Sequence, residues 1–142
     1  VVKARTKKRR SISSAKAACW KVFSRYIRLR DCLGTTGSPY HGECITCDAT
    51  LEFDQLQAGH FIPGRHNANL FSERGVHSQC RACNILRHGM PLEYRRQVIK
   101  LYGAGADEEL EAEAREIKKF AVQELDDLRQ HYEEEIVELE GK

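Results

Sequence analysis

The chain has 142 residues, of which 41% are hydrophobic, 8% aromatic and 31% charged, enough for one small domain with appendages and too little for two full cores. No stretch approaches the run of about eighteen uncharged apolar residues that a membrane-spanning helix needs, so no such helix is expected. The net charge of +2 hides a split. Residues 1–103 carry 18 Lys/Arg against 7 Asp/Glu, a balance of +11, and residues 104–142 carry 5 against 14, a balance of −9. A basic body with an acidic tail points to a polyanionic partner.

Residues 1–10, VVKARTKKRR, are basic and lack apolar periodicity, the pattern of a flexible arm that reaches to about residue 12. From Ser13 or Ser14, either able to cap a helix, Ala17, Trp20, Phe23, Ile27 and Leu29 fall at mostly helical spacing as far as Asp31. Arg25, Arg28 and Arg30 take the more polar side, and Gly34–Gly42 is a loop by composition. These residues, 13–43, make an N-terminal helix and loop. Residues 44–103 make the core: a CITC turn, a strand-like stretch ending near AGHF, a loop, a second short strand in VHSQC, and a helix from Arg81 to about Arg87. A further helix spans 91–102, with Pro91 in its first turn and Gly103 at its end. In the tail, 104–142, Leu110, Ala114, Ile117, Ala121, Leu125, Leu128, Tyr132, Ile136 and Leu139 recur about every 3.6 residues, so one long amphipathic helix is expected over Asp107–Glu140. Its stripe packs on the body or on a second copy of itself.

Four of the six cysteines form two Cys-x-x-Cys pairs, Cys44/Cys47 and Cys80/Cys83, separated by 32 residues. No charged-then-apolar signal pattern opens the chain, so a reducing compartment is expected, where such pairs are metal ligands. Four thiolates at about 2.3 Å from one Zn²⁺ leave no open position, so this zinc would be structural and supply folding free energy. Cys19 and Cys32 fall outside the pattern and are expected to be small apolar residues.

Between the pairs stands Gln57-Ala58-Gly59-His60-Phe61, and the second pair runs straight into Asn84 in CRACNILRH. A strand ending in histidine, a return strand and a helix starting Cys-Asn resemble the ββα-metal arrangement of HNH nucleases. The stretch AGHF…LFSERGVHSQCRACNILRHG…EYRRQVIKLYG is similar to the phage lambda Rap (NinG) recombination-nuclease family and, more distantly, to the endonuclease VII resolvases with their two zinc knuckles. The likeness covers Ala17 to Gly103 and is strongest over 57–103. It implies an α+β fold: a small zinc-stabilised ββα-metal (HNH) core flanked by a basic N-terminal helix and a long C-terminal amphipathic helical tail.

The resemblance also implies roles. His60 is the general base that deprotonates water. Asn84 matches the position that holds a catalytic divalent cation, Mg²⁺ or Mn²⁺, and His88, four residues later on the same helix face, is the second ligand. His77 matches a histidine of the return strand that contacts phosphate or holds the site's hydrogen-bond network. Departures are plain: Gly59 stands where many HNH sites carry an acidic ligand, Gly75 where the middle asparagine falls, and Arg87 and Met90 replace a Lys and an Asn. His60 itself, His66 and Asp54 are candidates to complete the metal shell, whereas His41 and His131 are read as surface residues.

For DNA the candidates are Lys7, Lys8, Arg9, Arg10, Arg25 and Arg28, then Arg81, Arg87, Arg95 and Arg96 near the site, a set that neutralises phosphates without specifying sequence. The implied activity is structure-selective cutting of branched DNA, Holliday junctions and D-loops, in the cytoplasm of a bacterial host. A homodimer suits the two-fold symmetry of a junction, with the tail stripe or the Trp20/Phe23 helix as its contact. The alternatives are an HNH nickase acting on ordinary duplex and a non-catalytic zinc-finger recombination accessory protein.

Overall fold

A computed structural model describes residues 10–141 of the protein; Lys7, Lys8 and Arg9 lie outside the described residues. The first helix, α1 (Ile12–Thr36), is longer at both ends than its apolar pattern. Ser11, not Ser13 or Ser14, caps it, because Ser11 is the last residue with extended backbone and its hydroxyl accepts the Ser14 N–H at 3.1 Å. At the other end Gly37 closes the helix in the left-handed conformation (φ 76°). The extra turn beyond Asp31 is held from outside: Thr36 Oγ1 donates to the His41 carbonyl at 2.7 Å and Thr35 Oγ1 accepts the Glu43 N–H at 3.1 Å.

Those hydroxyls align β1 (His41–Glu43), which pairs antiparallel with β2 (Thr50–Glu52) around the first cysteine pair. A 3₁₀ turn over Phe53–Gln55 leads to β3 (Leu56–His60), which pairs antiparallel with β4 (Val76–Cys80), Gly59 facing His77 and Gln57 facing Gln79. All five residues of β4 are buried. The helix expected over Arg81–Arg87 is a single π-turn, Ala82–Leu86, in which the Arg87 N–H reaches the Ala82 carbonyl at 2.8 Å. Helix α2 (Pro91–Tyr102) follows as read, Pro91 in its first turn and Gly103 at its cap.

The tail is not one helix. It divides into α3 (Ala106–Ala114) and α4 (Val122–Glu140), and between them Ile117 is 94% exposed while Phe120 turns inward instead. The stripe has two destinations. Ala106 and Leu110 pack with Phe61, Tyr94 and Val98, whereas Tyr132 and Ile136 pack with Phe23, Tyr26 and Ile27 of α1. One straight rod cannot follow the body from α2 round to α1, so the burial gained at both ends outweighs helix continuity at the break. Both apolar faces suggested as dimer contacts are therefore covered within the chain: the α4 half of the tail stripe and the Phe23 side of α1 by each other, and the α3 half by Phe61 and α2. Leu125, fully buried beside Ala15 and Cys19, should carry much of this docking. Leu125→Ala is expected to lower stability by about 2–5 kcal/mol in urea unfolding, and an unchanged midpoint would mean that α4 does not dock. Among the described residues no helix is long and apolar enough to cross a membrane.

Candidate functional site

Two arrangements of chemistry-bearing side chains lie side by side. In the first, the turn after β1 and the turn after β4 bring the sulfurs of Cys44, Cys47, Cys80 and Cys83 within 4.8 Å of one another. The Cys47 and Cys80 sulfurs are 3.8 Å apart, the edge of a tetrahedron whose metal–sulfur bonds are about 2.3 Å and far beyond a disulfide bond of about 2.05 Å. Burial pushes the Cys44 thiol up, but the Thr46 hydroxyl and the Cys80, Thr46 and Cys47 backbone amides outweigh it and bring it to about 7. Cys19 and Cys32 are fully buried away from this group, as small apolar residues.

The second is an open cleft of about 600 Å³ beside the knuckle. One wall is the Trp20–Ser24–Arg28 face of α1; the others are β3 with His60, the loop through Gly64 and Arg65, and the π-turn with Asn84 and then His88. His60 closes β3 and stacks on Trp20, rings 5.1 Å apart and 17° from parallel. Its Nε2 lies 3.1 Å from the Leu70 carbonyl. A carbonyl only accepts, so Nε2 carries the proton and the neutral ring offers the Nδ1 lone pair. Burial and then the Arg65 charge lower the pKa of His60 below 6.5, against the opposing Leu70 contact, so the ring is neutral at neutral pH.

Asn84 donates Nδ2 to Gln57 Oε1 at 2.8 Å, which leaves its Oδ1. Behind it Gln79, fully buried on β4, spends both amide hydrogens on Thr46 Oγ1 (3.1 Å) and the Gly89 carbonyl (3.0 Å), and its Oε1 has no partner among the described residues. A Cβ on residue 59 would lie 1.9 Å from Gln79 Oε1 and 3.0 Å from Asn84 Oδ1. Gly59 is thus the residue that lets two amide oxygens converge where a side chain would otherwise stand. Gln79 is the residue that sequence reasoning missed. Its signal was present, a glutamine inside a strand buried along its whole length, but only the partnering shows it.

The expected histidines separate. His88 lies past the π-turn in left-handed backbone (φ 55°), exposed but still lining the cleft with His60 and Asn84. His66 and Asp54 line other depressions. His77 is also outside the cleft. It is buried, with Nδ1 3.1 Å from an Arg30 nitrogen and 3.3 Å from Asp31 Oδ2, and Nε2 2.8 Å from the Tyr102 hydroxyl. Its contacts tie α1, β4 and α2 together away from the cleft, so they are not the site network expected of it.

Asp31 also accepts the Ser78 N–H at 2.7 Å. Burial alone would raise its pKa, but His77 and Arg30 outweigh that and hold the carboxyl below its ordinary value. A depressed carboxyl stabilises the fold above its unfolded-state pKa, and the contribution disappears as pH falls through the lower, folded-state value. Asp31→Asn should therefore cost about 3–5 kcal/mol near neutral pH, the range for breaking a buried charged pair, and flatten the acid limb of a stability–pH curve. An acid limb identical to that of the unsubstituted protein would remove Asp31 from this role.

Of the DNA candidates, four are already paired with carboxylates in the chain. Arg10 meets Asp126 at 2.6 Å, Arg25 meets Glu140 at 2.7 Å, Arg95 meets Asp107 at 2.5 Å and Glu111 at 2.7 Å, and Arg96 meets Glu93. The acidic tail folds back over the basic body, which a linear charge count does not reveal. Arg87 lies 3.8 Å from the Cys83 sulfur, Arg81 is exposed, and Arg28 stands over the Phe53 ring at 4.5 Å.

Comparison with known proteins bears on the same residues. No solved structure matches the chain. The ninG protein of Escherichia phage 933W is 36% identical over 97 residues, which is 61% of this chain and 48% of that protein. Those of Salmonella phage P22 and Escherichia phage lambda are each 30% identical over 97 residues, 68% of this chain and 47% of theirs. The chain thus spans about half the length of the curated relatives it matches. A family model described as "Bacteriophage Lambda NinG protein" matches residues 1–141, the helical tail as well as the knuckle and cleft, and the chain belongs to that family.

Proposed function

We propose that the chain is a metal-dependent, structure-selective DNA endonuclease of the HNH type that cuts branched recombination intermediates, Holliday junctions and D-loops, in the bacterial host cell. The observation that carries this reading is the convergence of His60, Asn84 and His88 on one cleft, with Nε2 of His60 taken by the Leu70 carbonyl. His60 accepts the proton of the attacking water, held in the correct tautomer by the Leu70 carbonyl and in orientation by Trp20. The amide oxygens of Asn84 and Gln79 over Gly59, with the His88 imidazole, suit a hard divalent cation, and these residues would hold Mg²⁺ or Mn²⁺. Such an ion neutralises charge on the scissile phosphate and the leaving 3′ oxygen. The four cysteines would hold a structural Zn²⁺. Products carry 5′-phosphate and 3′-hydroxyl ends, and a homodimer would supply the paired nicks that a two-fold junction requires, through a surface other than the tail stripe.

Among the described residues no carboxylate lines the cleft, and this favours a second reading, a zinc-stabilised DNA-binding accessory protein without catalysis. The test is a labelled four-way junction beside a matched linear duplex, each with Mg²⁺ and with EDTA. Paired Mg²⁺-dependent nicks in the junction alone support the resolvase, and equal cutting of both substrates supports a general nickase. Tight binding with no cutting in Mg²⁺ or Mn²⁺ supports the accessory protein.

A further inference from the structure

We infer that a single DNA strand runs along the α1 wall of the cleft and that Arg28 and Arg65, rather than the arginines of α2, hold its phosphates. The inference rests on the nucleic-acid reading of the cleft but not on catalysis. Two cationic side chains line this cleft without a carboxylate partner among the described residues, and both are arginines. Arg65, exposed and in left-handed backbone (φ 48°), stands over the Trp20 ring at 4.7 Å. Arg28 bonds the Ser24 carbonyl and covers Phe53. Burial disfavours its charge and lowers its pKa, with Asp54 only partly compensating and forming no ion pair with it, so a phosphate would complete a compensation that Asp54 leaves partial.

Position adds direction. Trp20, Ser24 and Arg28 are successive i,i+4 positions on one face of α1, so the Arg65–Trp20 stack and Arg28 are about 12 Å apart along the helix axis. That is about three to four steps of a strand at 3.4 Å each, enough to place a phosphate at each guanidinium, with the Arg65 end of the strand beside His60, which stacks on Trp20. The alternative track, over α2, is closed electrostatically: Arg95 is clamped by Asp107 and Glu111, and Arg96 by Glu93. A phosphate there would have to displace carboxylates that belong to the same chain.

Binding is measured in EDTA, where no cutting confounds it, by fluorescence anisotropy of a labelled four-way junction over a range of NaCl concentrations. Arg65→Gln and Arg28→Gln are each expected to weaken binding about tenfold, the scale of one charge-assisted contact, and to reduce the salt slope by about one phosphate. Arg95→Gln and Arg25→Gln should stay within about twofold, and urea midpoints report whether each variant is folded. Trp20 is the sole tryptophan, so its emission should change with the same binding curve. Equal or larger losses from Arg95→Gln or Arg25→Gln would overturn the inference, as would binding that leaves Trp20 emission unaltered. Absence of junction binding would overturn both this inference and the nuclease reading. Binding that depends on Arg65 and Arg28 without any Mg²⁺-dependent cutting would sustain this track and dismiss the nuclease alone.

Discussion

Removing metal from the four-cysteine cluster, with a strong chelator or by Cys83→Ser, is expected to unfold the region from β1 to α2. The elements that meet there are too short to stand alone. β1 and β2 have three residues each, β3 and β4 five, and each sheet has only two strands, an architecture that is marginal in water without further support. At the cysteine end the apolar contribution is small, since the buried cluster there consists of Cys44, Cys80 and Cys83 with Leu51, Ala82 and Met90 packed against it, and the larger cluster of Phe61, Tyr94 and Val98 lies toward α3. A structural zinc contributes an apparent binding free energy of about 10–16 kcal/mol at neutral pH, against a whole-domain stability of about 5–15 kcal/mol. Its loss therefore outweighs what the remaining contacts supply. Metal analysis should find one zinc per chain, lost in Cys83→Ser and kept in Cys19→Ala, whose sulfur is buried elsewhere. Circular dichroism of the stripped chain should lose its cooperative thermal transition. A stripped chain that melts as the untreated one does would show that these cysteines are not what holds the fold.

On the nuclease reading proposed above, His60→Ala should lower the rate of DNA cutting by about 10²–10⁴-fold, the usual contribution of a positioned general base, while junction binding in EDTA stays nearly unchanged. Alanine removes the Nδ1 acceptor together with the ring that stacks on Trp20 and bonds the Leu70 carbonyl. Single-turnover rates with enzyme in excess separate this loss from weakened binding. A rate within about twofold of the unsubstituted chain would dismiss His60 as the base. The pH profile gives an independent check. Because burial and Arg65 hold the imidazole below its ordinary pKa, cutting should persist below pH 6.5 and decline only as pH drops through that lowered value. Arg65→Gln removes one of the two depressing influences, so the acid limb should move to higher pH.

Short-range spacing carried much of the architecture. Two Cys-x-x-Cys pairs are enough to place four sulfurs, because each pair needs only its own turn, and the sulfurs do converge. Pro91 and Gly103 bracket α2 because their backbone preferences act within one turn. The short apolar runs ending near AGHF and in VHSQC mark the two strands that set His60 near Asn84. Family membership, too, was present in the motif residues between Ala17 and Gly103 before any fold was known.

What depended on which surfaces meet was not visible in the chain. The tail's 3.6-residue stripe describes one helix, yet its two halves pack on different neighbours and the helix breaks between them. His77 sits inside a motif but is consumed by Arg30, Asp31 and Tyr102, residues 25 to 47 positions away. Charge counting made Arg10, Arg25 and Arg95 into DNA contacts, and the tertiary structure pairs them with carboxylates of the tail. Gly59 looked like a missing ligand until Gln79 was found filling the space that a side chain there would take. Turns, caps and metal spacing are local and so are written in neighbouring residues. The partner of each charge and each buried amide is set by long-range packing, and only the folded chain decided it.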